Sequence, residues 1–202
     1  MASEAEQIVG IYRRHAATWV SDRLAGTFVE IGWLEKFRLL LPDGGAILDI
    51  GCGAGRPIAS HFMKQGYAVF GVDSSPEMIA MCENSFPERE WRVADMRSLK
   101  LERTFDGLLA WDSFFHLAHD DQRRMFAVFD RHAAPGGALM FTSGTSHGEA
   151  IGSLKGDPLY HASLDAEEYR GLLRAHGFEI VANAFEDKSC GGRTVWLAKC
   201  VR

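Results

Sequence analysis

The stretch Leu48-Asp49-Ile50-Gly51-Cys52-Gly53-Ala54-Gly55-Arg56-Pro57 decides the fold. It reads as an apolar strand running into a glycine-rich turn and then into a helix with proline in its first turn. Glycine supplies positive φ in such a turn and lets a ligand approach the backbone where a Cβ would collide. The spacing is GxGxG directly after an acid, whereas a dinucleotide turn reads GxGxxG. Asp49 would repel a pyrophosphate and attract an ammonium group. A glycine loop that merely turns the chain is the plainer reading, but this one stands directly after the first strand, where α/β proteins hold ligands.

Outward from this turn, short β-rich runs alternate with amphipathic helical runs, the pattern of a mostly parallel sheet covered by helices on both faces. Strands are predicted at Ala46–Ile50, Ala68–Val72, Trp91–Val93, Phe105–Trp111, Ala138–Thr142, Phe178–Phe185 and Thr194–Cys200. Helices are predicted at Ile58–Gln65, Glu77–Ser85, Asp121–His132 and Ala166–His176, the last capped by Asp165 and closed by Gly177. The final two strands are joined by the short segment Glu186 to Arg193, too brief for a parallel crossover, so they pair as an antiparallel hairpin. The fold class is therefore α/β, a Rossmann-like doubly wound sheet of seven strands, mostly parallel, with a C-terminal hairpin. Residues 1–41 read as a helical cap and residues 42–202 as the core of the same single domain.

Composition agrees with a soluble globular chain of one domain: 202 residues, 47% hydrophobic and 24% charged. A formal net charge of -5 without a basic stripe disfavours a nucleic-acid partner. The acidic start MASEAEQIVG is unlike a secretory signal, and no apolar run approaches the ~20 residues of a membrane span, so a cytoplasmic location without a membrane partner is expected. Cys52, Cys82, Cys190 and Cys200 show no CxxC spacing, which points to reduced thiols and no metal site.

Two further acids follow the glycine turn in strand order. Asp73 closes the second strand in Val72-Asp73-Ser74-Ser75-Pro76, near the ~20-residue separation at which an acid accepts from ribose hydroxyls. Capping the next helix is its plainer role, which Ser74 or Ser75 would fill as well. Asp95, in Val93-Ala94-Asp95-Met96, ends the third strand, where a carboxylate can accept from an adenine amino group. Met78 and Met96 offer polarizable packing for the base, or serve as core filler.

With these blocks in order, residues 40–202 resemble the class I S-adenosylmethionine-dependent methyltransferases. The Phe105-Asp106-Gly107 to Trp111-Asp112 block, the Pro135-Gly136-Gly137 turn and the terminal hairpin extend the match. The resemblance implies S-adenosyl-L-methionine as cofactor, held by Asp49, Gly51, Cys52, Gly53, Gly55, Asp73, Ser74, Met78, Asp95, Met96 and Trp111. It also makes Tyr12 and Trp19 lid residues, although an aromatic pair seven apart on a helix suits a core equally well.

The resemblance says less about the methyl acceptor. Strand four ends in Trp111-Asp112-Ser113-Phe114-Phe115-His116, without the Asn/Asp-Pro-Pro-aromatic block of enzymes that methylate bases or glutamine. A small-molecule O, N or S acceptor is expected. His116, oriented by Asp112, is the candidate general base, and His147, Tyr160 and His161 are candidate substrate contacts from the long segment Ser143–Leu164. Loop histidines are commonly just solvated, and the pair His116 and His119 lacks a third ligand for a metal. Two other readings stand beside this one: a nicotinamide-dependent oxidoreductase, opposed by Asp49 and the GxGxG spacing, and a non-catalytic S-adenosylmethionine-binding protein.

Overall fold

The predicted β-rich runs extend as β1 (Ala46–Ile50), β2 (Ala68–Asp73), β3 (Glu90–Val93), β4 (Phe105–Ala110) and β5 (Ala133–Ser143) in the computed structural model, which describes residues 3–202. These five strands are mutually parallel where they pair. β1 and β4 are buried almost throughout, as strands covered on both faces must be. Four further strands follow: β6 (Gly148–Leu154), β7 (Asp157–Ser163), β8 (Phe178–Asp187) and β9 (Arg193–Cys200). The main sheet has seven strands in the order β3-β2-β1-β4-β5-β9-β8, with β9 antiparallel to both neighbours. The Rossmann-like sheet and its terminal hairpin are thus as the sequence implied.

Six α-helices occur among the described residues: α1 (Glu4–Ala25), α2 (Ile31–Arg38), α3 (Ile58–Lys64), α4 (Pro76–Ser85), α5 (His119–His132) and α6 (Ala166–Ala175). α1 starts on a reciprocal capping box between Ser3 and Glu6, and Asp165 caps α6 by accepting from the Glu168 N–H. Side-chain alternation along the strands divides the core in two. Leu48, Ile50, Leu108 and Phe141 face α5 and α6, while Ile47, Val69, Leu109 and Met140 face Trp33 and Phe37 of α2 and Phe62 of α3.

Three expectations need correction. The predicted helical preamble is broken between Ala25 and Ile31 into α1 and α2. β5 begins at Ala133, so Pro135-Gly136-Gly137 lies within it, where the register with β4 jumps from Phe105–Ala133 to Gly107–Ala138. The segment Ser143–Leu164, read as a loop, contains the β6–β7 hairpin. Its two-residue turn, Lys155-Gly156, has both φ values positive, at 53° and 92°. The hairpin packs Tyr160 and Ala162 against Ile8 of α1, so the two segments make one cap.

Phe114 anchors the short 3-10 turn Phe114–His116 that follows β4. Its fully buried ring touches Phe126, Phe129, Phe141 and Tyr169, with centroids 5.2–6.2 Å away. Phe114→Ala is expected to lower stability by about 3–5 kcal/mol in urea unfolding, and Phe114→Leu by clearly less.

Candidate active site

The glycine turn closes against the end of β2, where the N–H groups of Gly51 and Cys52 donate to the Val72 carbonyl at 2.8 and 3.0 Å. Gly51 has φ 79°, and a Cβ there would lie 2.3 Å from the Cβ of Ser113. Only glycine fits between the loops that leave β1 and β4. Above this turn opens a cavity lined by Asp49, Gly51, Cys52 and Gly53 and, from the next two strand ends, by Asp73, Ser74, Asp95 and Met96. Met78, Trp111, Tyr12 and Trp19 line it too, Trp19 resting against Gly53.

The acids differ in their commitments. Asp73 accepts from the Gly53 N–H and the Ser75 N–H, both at 2.9 Å, so it fastens the turn to the start of α4, while Ser75 caps that helix. Burial raises its pKa against the pull of those bonds. Asp49 is 5% exposed and has no hydrogen-bond or ion-pair partner among the described residues. Burial, then the nearby charge of Asp73, pushes its pKa up to about 7. Asp95 is held by the Arg97 guanidinium at 2.6 Å, which lowers its pKa. Its carboxylate is therefore already engaged where the sequence suggested an adenine contact.

A second cavity adjoins the first, and Tyr12, Trp19, Arg23, Asp112 and His116 line both. At this junction His116 Nδ1 lies 2.8 Å from the Tyr160 carbonyl and Nε2 lies 2.9 Å from the Tyr12 hydroxyl. A carbonyl only accepts, so Nδ1 carries the proton and Nε2 accepts from Tyr12. Burial brings the His116 pKa down to about 4, which keeps the ring neutral, and burial also raises that of Tyr12. His161 lines the second cavity with its ring centroid 4.8 Å from that of His116.

Several candidates stand elsewhere than expected. Asp112 does not orient His116: it forms a two-pronged ion pair with Arg193 of β9, at 2.7–2.9 Å, and the orienting acceptor is the Tyr160 carbonyl. The Tyr160 side chain points into the cap, donating to Glu149, so only its backbone serves the site. His147 is exposed and stacks on His119 outside both cavities. Gly55 does not line the cavity either; a side chain there would press on Trp91 and Cys82, so its smallness serves packing. Sequence reasoning missed Arg97, Asp121, Ser113 and Arg193. Ser113 had a local signal, its place beside Asp112, but Arg193 reaches the site only through the pairing of β9 with β5. Among the described residues no cluster suited to a metal ion occurs.

Comparison with known proteins agrees with this geometry. Residues 47–137 match the family described as a methyltransferase domain. The cypemycin N-terminal methyltransferase of Streptomyces sp is 31% identical over 124 residues, covering 59% of this chain and 49% of the relative. The chain spans about half the length of the curated relatives it matches. A sugar N-methyltransferase of Streptoalloteichus sp has the same fold, with a TM-score of 0.74 at 20% identity over 92% of each chain. So does the 1,6-didemethyltoxoflavin-N1-methyltransferase of Burkholderia thailandensis, solved with S-adenosylhomocysteine, with a TM-score of 0.72 at 20% identity over 100% of this chain and 92% of that one. The resemblance carried by the glycine turn and its following acids is thus met on two sides: residues 47–137 match a methyltransferase-domain family, and the fold is that of solved methyltransferases, one of them bound to S-adenosylmethionine.

Proposed function

We propose that the chain transfers a methyl group from S-adenosylmethionine to a small molecule. The observation that carries this reading is Asp49, a buried carboxylate without a partner, facing a glycine-floored cavity that opens onto a second one across Tyr12 and His116. A buried acid left unpaired is costly unless a cation meets it. The ammonium of the methionine tail fits that place, and Asp73, with lone pairs left beyond its two backbone bonds, fits ribose hydroxyls. A protein that only bound the cofactor would have no use for the adjoining cavity. The negative net charge supports a small acceptor over a nucleic acid.

When bound, the cofactor supplies a methyl group on positively charged sulfur, whose carbon–sulfur bond breaks toward sulfur as the acceptor's lone pair takes the carbon. The chain's part is alignment and the exclusion of water. Trp19 and Tyr12 cover the junction from α1, and the His116 bonds tie α1 and β7 to the end of β4. Any proton lost by the acceptor has a path to the Tyr12 oxygen as the Tyr12 proton moves to His116 Nε2. The Tyr160 carbonyl then holds the Nδ1–H of the imidazolium. The depressed basicity of His116 makes it a transient proton carrier.

Isothermal titration should show S-adenosylhomocysteine binding, and Asp73→Ala should weaken it by about 1–3 kcal/mol. Asp49 is mostly protonated in the free protein below its pKa of about 7, so cation binding there must release a proton. Affinity should fall more than roughly tenfold from pH 7 to pH 5.5 and rise about a further twofold by pH 8 before levelling. Asp49→Asn should bind weakly at every pH in that range, and an affinity independent of pH in the unsubstituted protein would remove Asp49 from the ammonium site.

Nitrogen-detected NMR of His116 should show a neutral ring protonated at Nδ1 from pH 6 to 8; an imidazolium signature there would contradict the geometry. Once an acceptor is in hand, Tyr12→Phe and His116→Gln should each slow turnover about 10²-fold, with the double variant no slower than either, as for groups acting as one unit. Hydrogen exchange should show α1 and the β6–β7 hairpin gaining protection together when S-adenosylhomocysteine binds, since one imidazole fastens both.

A further inference from the structure

One wall of the second cavity is built of rings. Trp19, Tyr12, His116, His161 and Phe115 line it as a chain of neighbours, with successive centroids 5.9, 5.4, 4.8 and 5.2 Å apart. Their successive interplanar angles are 79°, 66°, 37° and 42°, so no two successive rings are stacked face to face. His119 and His147, stacked at 11° and 4.4 Å outside the cavity, show the contrasting arrangement in which the faces are consumed. Burial lowers the pKa of both His116 and His161, so the wall is uncharged near neutral pH.

Most of the charged groups lining the rest of this cavity are already paired. Arg193 is locked to Asp112, and Arg23 is tied to Glu30, which is fully buried. Among the described residues, Glu186 is the one lining charge without an ion-pair partner, and it is exposed to solvent. An anionic group entering the cavity would find no free counter-charge, and an ammonium group would meet only Glu186, which water already solvates. A flat π-system would gain offset or edge contacts with several rings and keep its polar edge near Thr145 and Thr194.

Building on the methyl-transfer reading, we propose that the acceptor is a flat, uncharged aromatic or heteroaromatic molecule that lies against this ring wall, its reacting nitrogen or oxygen directed to the Tyr12–His116 junction. Phe115 and His161 are then specificity-determining residues, set away from the cofactor cavity, which neither of them lines.

The test uses the full chain saturated with S-adenosylhomocysteine and two probe sets compared by saturation-transfer NMR and titration. One set holds hydroxyquinolines, hydroxyindoles and aminopyrimidines; the other holds cyclohexanol, glucosamine and short aliphatic acids and amines. The flat set should bind about tenfold more tightly or better, and Phe115→Ala and His161→Ala should each weaken it about 3- to 10-fold. Affinity for S-adenosylhomocysteine should stay unchanged in both variants. Phe115→Leu, which keeps apolar bulk but no ring, separates stacking from a general packing defect and should behave like Phe115→Ala. Equal or tighter binding of the aliphatic set, no binding of flat probes, or ring variants without effect would overturn the proposal while leaving the methyl-transfer reading intact. Failure of S-adenosylhomocysteine itself to bind would overturn both.

Discussion

Everything in the site hangs on the place where β1 and β4 lie side by side and their outgoing loops part. β1 pairs with β2 on one side and β4 on the other, and the chain leaves β1 toward β2 but leaves β4 toward β5. Loops that diverge in this way open a crevice at the carboxyl ends of the strands. Here their bases are pinned together: the Ser113 hydroxyl donates to the Ile50 carbonyl at 2.7 Å, and the absent side chain of Gly51 lets the contact close. Pinned below and splayed above, the two loops form a rigid floor with a cleft over it. The first cavity occupies that cleft, and the second lies across the β4 loop from it, toward the end of β5 and the β8–β9 hairpin.

Electrostatics in the cleft follow from its dryness. Asp49 pairs in register with Gly71, two residues before Asp73, so adjacent strands bring two acids to one side of the same turn. In water such neighbours would each ionise at low pH, but burial raises both pKa values and their mutual repulsion raises that of Asp49 further. Two backbone donors compensate Asp73, and none compensates Asp49. The fold thus keeps one carboxyl group in a state that a cation would improve, a local sacrifice of stability of the kind found at binding sites. Asp95, offset by Arg97, lacks that property although it stands at the equivalent strand end.

The sheet and the lining of the first cavity were legible in the sequence because their signals are local. Asp49, Asp73 and Asp95 each lie at or near the carboxyl end of a strand, so strand order alone assembles them around one turn. The second cavity was read less well because it is built by long-range contacts. The β6–β7 hairpin hides behind a half-exposed strand, with Ile151 at 50% exposure, and a Lys-Gly turn in place of the stronger Asn-Gly signal. The roles of His147, His161 and Tyr160 depend on that hairpin's register. Alternation places His161 toward the cavity and turns the Tyr160 side chain into the cap, leaving its carbonyl for His116.

Asp112 shows the same limit at a single residue. Its φ of 48° is unusual for a side chain larger than glycine, and such a conformation costs on the order of 1–3 kcal/mol unless its surroundings hold it. Thr142 of β5 accepts from its N–H at 2.9 Å, and Arg193 of β9 grips its carboxylate, so the two neighbouring strands fix the residue from outside β4. The sharp turn then sends Ser113 back across β1, Phe114 into the core and His116 to the cavity junction. A carboxylate turned toward β9 in this way cannot also orient the imidazole four positions later. The strain at Asp112 places His116, and the backbone of β7 orients it, a division of labour that neighbouring positions in the sequence could not reveal.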